Sequence, residues 1–291
     1  MPALDPRLHA YRDDLADSAL RGRVAAARYV DGRPARVVSG HAAMRRSPEP
    51  TAPVDTFCLY GEPVRVFDDD AGWAWCQAEY DLYVGYLETG HLATGDARAP
   101  THHVMPLGAY RYAIPDLRTT PLDLLPRHAA VIVAETGLVT RGTEYARLDP
   151  AGFLPLACLS AAPPRSRDLV AAASLYLGCP YLWGGRSALG LDCSGLVQQG
   201  FRDLGIRVPR DTDQQQGAIG AAVAASGMHD LVPGDLIFIP GHVMIYAGDG
   251  VVIHASGATM TVRRDNLAEL ARDWGIEFAG LVVRRYQPGG N

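Results

Sequence analysis

The hydrophobic pattern of the chain changes its period near residues 160–168, and this change most constrains the fold. From residue 35 to residue 160 the apolar runs are short and are separated by Gly, Pro and Asp. Alternation in VRVF (64–67) and WAWC (73–76) is typical of half-buried strands. After SAAPPRSRD (160–168), which resembles a linker, apolar residues first recur at helical spacing and then form strand-like runs. The chain is therefore expected to be β-structured first and mixed helix and sheet afterwards.

The β-structured part contains a weak internal echo. PVDTFCLYGEPVRVF (53–67) has a counterpart in PLDLLPRHAAVIVAE (121–135), and YVGYLETGHL (83–92) has one in PAGFLPLACL (150–159). Ordered repetition of this kind predicts two small β-barrels of about 60 residues each, over 35–95 and 101–160. A single larger β-domain is the alternative.

Residues 1–34 show a different spacing. Apolar side chains recur in the segment 8–28 at Leu8, Tyr11, Leu15, Leu20 and Val24. This loose helical period predicts one or two short helices, so that 1–34 is expected to be an N-terminal helical segment.

The remaining part, 165–287, reads as helices followed by strands. Helices are predicted from DLVAAASLYLG (168–178), from DCSGLVQQGFRDLG (192–205) and from the Gln- and Ala-rich segment after VPRD (208–211). Strands are predicted from DLIFI (235–239), HVMIYA (242–247) and GVVIHA (250–255), and a helix and a strand close the chain. Helices followed by a mainly antiparallel sheet indicate an α+β domain.

Composition excludes several classes of function. The 291 residues carry a net charge of −5, so a general nucleic-acid role has no electrostatic support. No apolar run approaches the roughly 20 residues that span a bilayer, and the N-terminus has no apolar core of a secretory signal. A cytoplasmic protein is expected, or a periplasmic or extracellular one if a leader was removed. The five cysteines are odd in number and lack metal-ligand spacing, so we expect reduced thiols and no metal or organic cofactor.

One cysteine has a setting suited to chemistry. In GLDCSGLV (190–197), Asp192 is a good N-cap, which places Cys193 in the first turn of a helix. The helix dipole and the free N–H groups there favour an anion, so we expect a lowered pKa for this thiol. A thiol nucleophile needs a base, and the base needs a group that orients it. His242 opens one predicted strand and His254 nears the end of the next, so a hairpin brings the two imidazoles close, with His242 as the base and His254 holding its ring.

These elements resemble the NlpC/P60 cysteine peptidases. The resemblance is carried by PYLWGG, LDCSGLV, VPRDT, PGDLIFI and HVMIYAGDGVVIHAS, in that order, and covers about residues 168–286. It implies a papain-like fold and cleavage of peptidoglycan peptides, with Cys193 as nucleophile, His242 as base and His254 as the polar third member. It also implies that Tyr181 reaches the active site, where its hydroxyl can stabilise an oxyanion. The usual HVGIY reads HVMIY here, and Met244 either narrows the cleft or faces the core.

The upstream blocks resemble bacterial SH3 (SH3b) domains through GWAWCQAE (72–79) and LYVGYL (82–87). Two such domains before an NlpC/P60 domain are similar to the murein-peptide recycling endopeptidases, which cleave after a free L-Ala-γ-D-Glu dipeptide before diaminopimelate or lysine. In that subgroup the first SH3b domain contributes to the substrate pocket. The candidate substrate-binding residues are Asp211 (for the ammonium, or else a helix N-cap), Asp192, Ser194, Arg186 (for the carboxylate), Glu62 and Tyr83.

Other readings of the same residues remain open. A wall hydrolase that acts on intact peptidoglycan, a Cys–His acyltransferase or amidase, and an inert wall-binding module are the alternatives. The intact set of Cys193, His242 and His254 argues against the last. The expected partner is a peptidoglycan-derived peptide as substrate, and the protein is expected to be a monomer that binds neither nucleic acid nor membrane.

Overall fold

The computed structural model describes residues 4–95 and 98–287, and the chain divides into two compact units, Met1–Pro164 and Arg165–Asn291. Within the described ranges, no helix is both long and apolar enough to cross a membrane.

The N-terminal segment of the first unit is not helical as predicted. It contains β1 (Leu15–Asp17), a short 3₁₀ turn (Ser18–Leu20) and β2 (Arg28–Val30), and β1 pairs with β2 in parallel. The buried Leu15 packs against Phe67 and Trp75 of the neighbouring sheet, and this contact takes the place of a helical face. The helix prediction for 8–28 is therefore wrong, because tertiary packing outweighs a loose local period.

The two β blocks form two seven-stranded sheets. The first has the order β5-β4-β8-β7-β6-β3-β9 and the second the order β12-β11-β15-β14-β13-β10-β16. Adding seven to each strand number of the first order gives the second order, so the two sheets have the same topology. The strands of the first sheet are β3 (Arg33–Val37), β4 (His41–Arg45), β5 (Val54–Leu59), β6 (Pro63–Asp70), β7 (Trp73–Ala78), β8 (Val84–Glu88) and β9 (Leu92–Thr94). Those of the second are β10 (His102–Val104), β11 (Gly108–Tyr112), β12 (Pro121–Pro126), β13 (Ala130–Thr140), β14 (Thr143–Asp149), β15 (Phe153–Pro155) and β16 (Leu159–Ser160).

The second unit packs short helices on a six-stranded antiparallel sheet of order β19-β24-β20-β21-β22-β23. Its elements are α1 (Leu169–Ser174), β17 (Arg186–Ser187), β18 (Gly190–Leu191), α2 (Cys193–Asp203), α3 (Thr212–Ala218), β19 (Ala221–Val223), β20 (Leu236–Ile239), β21 (His242–Gly248), β22 (Val251–Ser256), β23 (Thr261–Asn266), α4 (Leu267–Asp273) and β24 (Val282–Arg285). Helix α2 packs against β21 and β22. This contact brings the start of the helix to the sheet strands that carry the two histidines.

A two-residue turn connects β21 and β22. Asp249 and Gly250 have φ values of 50° and 74°, the left-handed values that a tight type I′ hairpin turn needs at both central positions. Ile245 pairs with Ile253 in this hairpin, so His242 and His254 lie toward the same end and on the same face of the pair. Met244 is buried in the core of the sheet face covered by α4, which settles the alternative left open by the sequence: it does not narrow a cleft.

Candidate active site

Cys193 is the first residue of α2, directly after its N-cap. The carboxylate of Asp192 accepts a hydrogen bond from the backbone N–H of Gly195 at 2.7 Å, which fixes where the helix begins. The thiol is nearly enclosed, with 8% of the residue exposed, and its Sγ lies 3.8 Å from Oγ1 of Thr212. The backbone N–H of Val243, next to His242, also points to the sulfur. The nucleophile candidate therefore faces strand β21.

The two histidines are joined in a hydrogen-bonded chain that ends on an acid. Nε2 of His242 lies 2.8 Å from Nδ1 of His254. Nε2 of His254 lies 2.9 Å from Oδ2 of Asp265 in the neighbouring strand β23. The structure thus brings together the predicted pair and adds Asp265, which the sequence reasoning missed.

Burial controls the protonation of this pair. It lowers the pKa of His242 from 6.5 to about 4, and the proximity of His254 acts in the same direction. Burial and the charge of Asp192 raise the pKa of the Cys193 thiol, against the N–H and O–H groups that point at it. The expectation of a lowered thiol pKa is therefore wrong in sign, because burial outweighs the helix start. At neutral pH the resting pair is a neutral thiol and a neutral imidazole.

Tyr181 lies close enough to Cys193 and Asp192 to interact electrostatically with both residues. Burial, followed by these two charges, raises the pKa of its phenol to about 12. The ring lies 3.6 Å from the position that a Cβ on Gly257 would occupy, and the backbone N–H of Tyr181 donates to the carbonyl oxygen of Met260 at 2.9 Å. The hydroxyl therefore stays protonated across the physiological range and is available as a donor.

A buried ion pair lies behind the nucleophile. Arg210 is 1% exposed and donates to both carboxylate oxygens of Asp192, at 3.0 and 2.6 Å, and to Oγ of Ser194 at 2.8 Å. Asp192 also accepts from the backbone N–H of Gly184 at 2.9 Å. Both oxygens of Asp192 thus accept from protein donors, so Asp192 and Ser194 have a structural part here, and their contact with substrate stays a prediction.

The other predicted substrate-binding residues lie in three settings. Arg186 is buried in the short strand β17, so its guanidinium does not face solvent. Asp211 is the N-cap of α3 in a capping box with Gln214, directly before Thr212, and it is partly exposed. Glu62 and Tyr83 are buried in the first unit, where the Glu62 carboxylate accepts from the N–H of Leu59 at 2.9 Å. Their roles in substrate binding stay predictions.

An aromatic side chain covers the histidine pair. Trp274, at the end of α4, is 39% exposed and meets the rings of His242 and His254 edge-on, with centroids 5.7 and 6.2 Å apart. No sequence signal pointed to it, because its position depends on how α4 returns over the sheet.

Among the residues that the structure describes, the remaining cysteines form no disulfide and belong to no metal-binding cluster. All five cysteines are free, and burial raises the pKa of Cys76 to about 12. Among residues 4–95 and 98–287, no cluster of three or more His, Cys, Asp or Glu side chains has the arrangement of a metal site.

Two family models match this chain. The NlpC/P60 family matches residues 178–273, and the bacterial dipeptidyl-peptidase Sh3 domain matches residues 44–92. The first of these ranges contains Cys193, both histidines and Asp265. The matches confirm the resemblance to NlpC/P60 and SH3b domains that the motifs indicated.

Curated relatives and solved structures agree with these matches. A protein from Bacillus cereus named gamma-D-glutamyl-L-lysine dipeptidyl-peptidase is 37% identical over 134 residues, which are 43% of this chain and 38% of that protein. Dipeptidyl-peptidase 6 of Lysinibacillus sphaericus is 27% identical over 72% of this chain and 83% of its own length. The crystal structure of an NlpC/P60 family protein from Bacillus cereus superimposes with a TM-score of 0.70 at 21% identity, over 88% of this chain and 100% of that one. This likeness confirms the papain-like fold predicted for the second unit. The chain therefore contains a domain that matches the NlpC/P60 family of cysteine peptidases, over residues 178–273, and before it a domain that matches the bacterial SH3 domain, over residues 44–92.

Proposed function

We propose that the chain hydrolyses the γ-D-glutamyl-L-diamino acid bond of peptidoglycan-derived peptides that carry a free N-terminal L-Ala, in the recycling of cell-wall peptides. The observation that carries the proposal is Cys193 at the start of α2, facing the strand that begins with His242, in a domain whose relatives include enzymes named for this bond. The diamino acid is lysine or diaminopimelate.

The geometry supports general-base catalysis by a neutral pair. His242 takes the proton of the thiol as Sγ attacks the γ-carbonyl carbon, and the imidazolium then protonates the leaving amine. The charge on the carbonyl oxygen is received by the backbone N–H of Cys193 and the hydroxyl of Tyr181. Water, activated by His242, then hydrolyses the thioester and releases the dipeptide.

Asp211 is the residue proposed to bind the free N-terminal ammonium group of the substrate. Asp211 directly precedes Thr212, whose Oγ1 lies 3.8 Å from Sγ of Cys193, and Asp211 is partly exposed. Capping α3 and binding an ammonium are compatible, because one carboxylate has several acceptor sites. Recognition of the ammonium confines cleavage to peptides whose second residue is the γ-linked glutamate.

We also propose that the sheet of residues 102–160 is a second SH3-type barrel. Its support is the strand order, which repeats that of the sheet within which the Sh3 family model matches. The weak sequence echo between the two blocks points the same way.

The test compares peptides by mass spectrometry. The substrates are L-Ala-γ-D-Glu-L-Lys, L-Ala-γ-D-Glu-diaminopimelate, and each of these with its alanine nitrogen acylated. We expect cleavage of the free peptides only, and no cleavage by Cys193→Ala. Equal cleavage of free and acylated peptides would instead indicate a hydrolase of intact wall, and no cleavage of any of them would refute the proposal.

A matched variant isolates the ammonium site. Asp211→Asn keeps a good N-cap but removes the charge, so α3 should be retained. We expect kcat/KM for the free peptides to fall at least about tenfold, the loss of a charge-assisted hydrogen bond. An unchanged kcat/KM would show that Asp211 only caps the helix.

A further inference from the structure

The hydrogen-bonded chain from His242 to Asp265 has a direction. A carboxylate can only accept, so the proton between His254 and Asp265 belongs to Nε2 of His254, 2.9 Å from Oδ2. A neutral imidazole carries one proton, so Nδ1 of His254 is then an acceptor. It lies 2.8 Å from Nε2 of His242, which must be the donor. By the same rule, Nδ1 of His242 carries the free lone pair.

That lone pair lies on the ring nitrogen of His242 that His254 does not engage. Nδ1 is the ring nitrogen nearest the backbone, and the adjacent N–H of Val243 points at Sγ of Cys193. Nε2 is occupied by His254, so Nδ1 is the nitrogen left for the thiol proton. The opposite tautomer would place a hydrogen there and leave the thiol without a base.

Asp265 also forms an ion pair with an arginine. Nη2 of Arg263, two residues away on β23, lies 2.6 Å from Oδ1 of Asp265. The two carboxylate oxygens therefore have different partners: Oδ1 accepts from the guanidinium of Arg263, and Oδ2 accepts from Nε2 of His254. The site needs an acceptor at both positions.

We propose that Asp265 is a positioning residue that selects the tautomer of both histidines and leaves Nδ1 of His242 as the base facing Cys193. The inference deepens the proposed function and rests on it for its kinetic test. When the thiol proton moves to Nδ1, His242 becomes an imidazolium that still donates through Nε2 to His254. Asp265 continues to accept from Nε2 of His254, and the proton on Nδ1 of the His242 imidazolium passes to the leaving amine.

Replacement by asparagine gives a sharp test, because asparagine has one acceptor where aspartate has two. In Asp265→Asn, the guanidinium of Arg263 can only donate, so it binds the carbonyl oxygen of the asparagine side chain. The amide NH₂ of the asparagine then faces Nε2 of His254. His254 must then accept at Nε2 and donate from Nδ1, and His242 must hold its proton on Nδ1. The variant keeps the shape of the site but inverts both tautomers.

The kinetic prediction separates a positioning role of Asp265 from a purely structural one, because a second substitution should restore part of the activity. For Asp265→Asn we expect kcat to fall by about 10²- to 10⁴-fold, the range of general acid–base catalysis, with KM within about threefold. Adding Arg263→Met removes the competing donor and lets the asparagine oxygen turn back to His254, so the double variant should regain at least about tenfold in kcat. A double variant no more active than Asp265→Asn would overturn the proposal, as would an Asp265→Asn variant within about threefold of the wild type.

The tautomers are also measured without substrate. Long-range ¹H–¹⁵N NMR spectra of histidine-labelled protein, with His242→Gln and His254→Gln for assignment, report which ring nitrogen carries the proton. We expect Nε2–H at both residues in the wild type and Nδ1–H at both in Asp265→Asn. Nδ1–H on His242 of the wild-type protein would overturn the proposal. If the peptides are not cleaved but the wild-type tautomers are as expected, the proposed function fails and the positioning role stands.

Discussion

Removal of the Arg210 guanidinium is expected to destabilise the second unit by an amount that the structure allows us to estimate. Arg210 donates two hydrogen bonds to Asp192 and one to Ser194. Breaking a buried ion pair by deleting one partner costs about 3–5 kcal/mol, because the other charge stays buried. Asp192 keeps three neutral donors, from Gly184, Gly195 and Ser194, so the loss for Arg210→Met should lie near about 3 kcal/mol.

Arg210→Lys is the matched control. It keeps the charge but loses the fork that meets both oxygens of Asp192 at once. We expect roughly half of the loss seen with methionine, since one of the paired hydrogen bonds is removed and the charge is retained.

The assay must resolve the two units, because unfolding of a two-unit chain need not be a single transition. Hydrogen–deuterium exchange along a urea titration gives a separate midpoint for peptides of α2 and for peptides of the first unit. Only the α2 midpoint should move. A loss below about 1 kcal/mol for Arg210→Met would refute the reasoning, since an unpaired buried carboxylate would then cost far less than the ion-pair estimate requires.

Three further outcomes are expected. The pKa of His242 is about 4 in the folded state and 6.5 in the unfolded state, so the unfolded state binds more protons between these pH values, and the free energy of unfolding should fall by about 3 kcal/mol as the pH drops from 6.5 to 4. Urea midpoints measured across this pH range should depend less steeply on pH for His242→Gln than for the wild type. An equally steep pH dependence for the variant would contradict this prediction. Tyr181→Phe should lower kcat by about 10²-fold with little change in KM or urea midpoint, since one oxyanion donor is lost; an unchanged kcat would exclude that role. Gly195→Ala places a Cβ 2.1 Å from the carbonyl oxygen of Gly185 and should cost at least about 3 kcal/mol by urea titration, whereas Gly217→Ala meets no atom within 4 Å and should be neutral or stabilising.

The parts of the site that the sequence predicted are those with local signals. Asp192 as N-cap and Cys193 as the first helical residue follow from residues adjacent in the chain, and α2 begins at Cys193. The histidine pair follows from alternation and a glycine-flanked turn, and the rings lie 2.8 Å apart between Nε2 and Nδ1. Each of these inferences needed only a few neighbouring residues.

Asp265 escaped prediction because its place depends on the register of a second hairpin. Val252 pairs with Asp265 and His254 pairs with Arg263, so His254 and Asp265 are diagonal neighbours on one face of β22 and β23. The sequence pattern predicts no strand at TVRRDN (261–266), and without that strand there is no register from which to place the acid. A prediction of that strand, with His254 as a reference, is the signal that would have found it.

The helix prediction for residues 8–28 is wrong for a different reason. Their apolar residues are spaced for a helix, but the segment also carries Gly22 at φ 79°, a left-handed value inside the predicted helical span. Leu15 gains more by packing against Phe67 and Trp75 than a short isolated helix can supply. The decisive partner lies about fifty residues away in sequence, beyond the reach of a local period.

The resting state of Cys193 shows how two correct local arguments can compete. A helix N-terminus favours an anion by about 0.3–1 kcal/mol, and up to about 2 kcal/mol in buried geometries. Enclosing a charge costs several kcal/mol, and at a residue 8% exposed this cost prevails, so the pKa of the thiol is raised. In the resting enzyme the N–H groups around Sγ therefore face a neutral thiol and not an anion. In the proposed reaction they are matched when the thiol loses its proton to His242 and negative charge develops on the sulfur and on the substrate oxygen. The helix start therefore stabilises the charge formed during the reaction more than the resting thiol, which is the condition under which an interaction raises kcat.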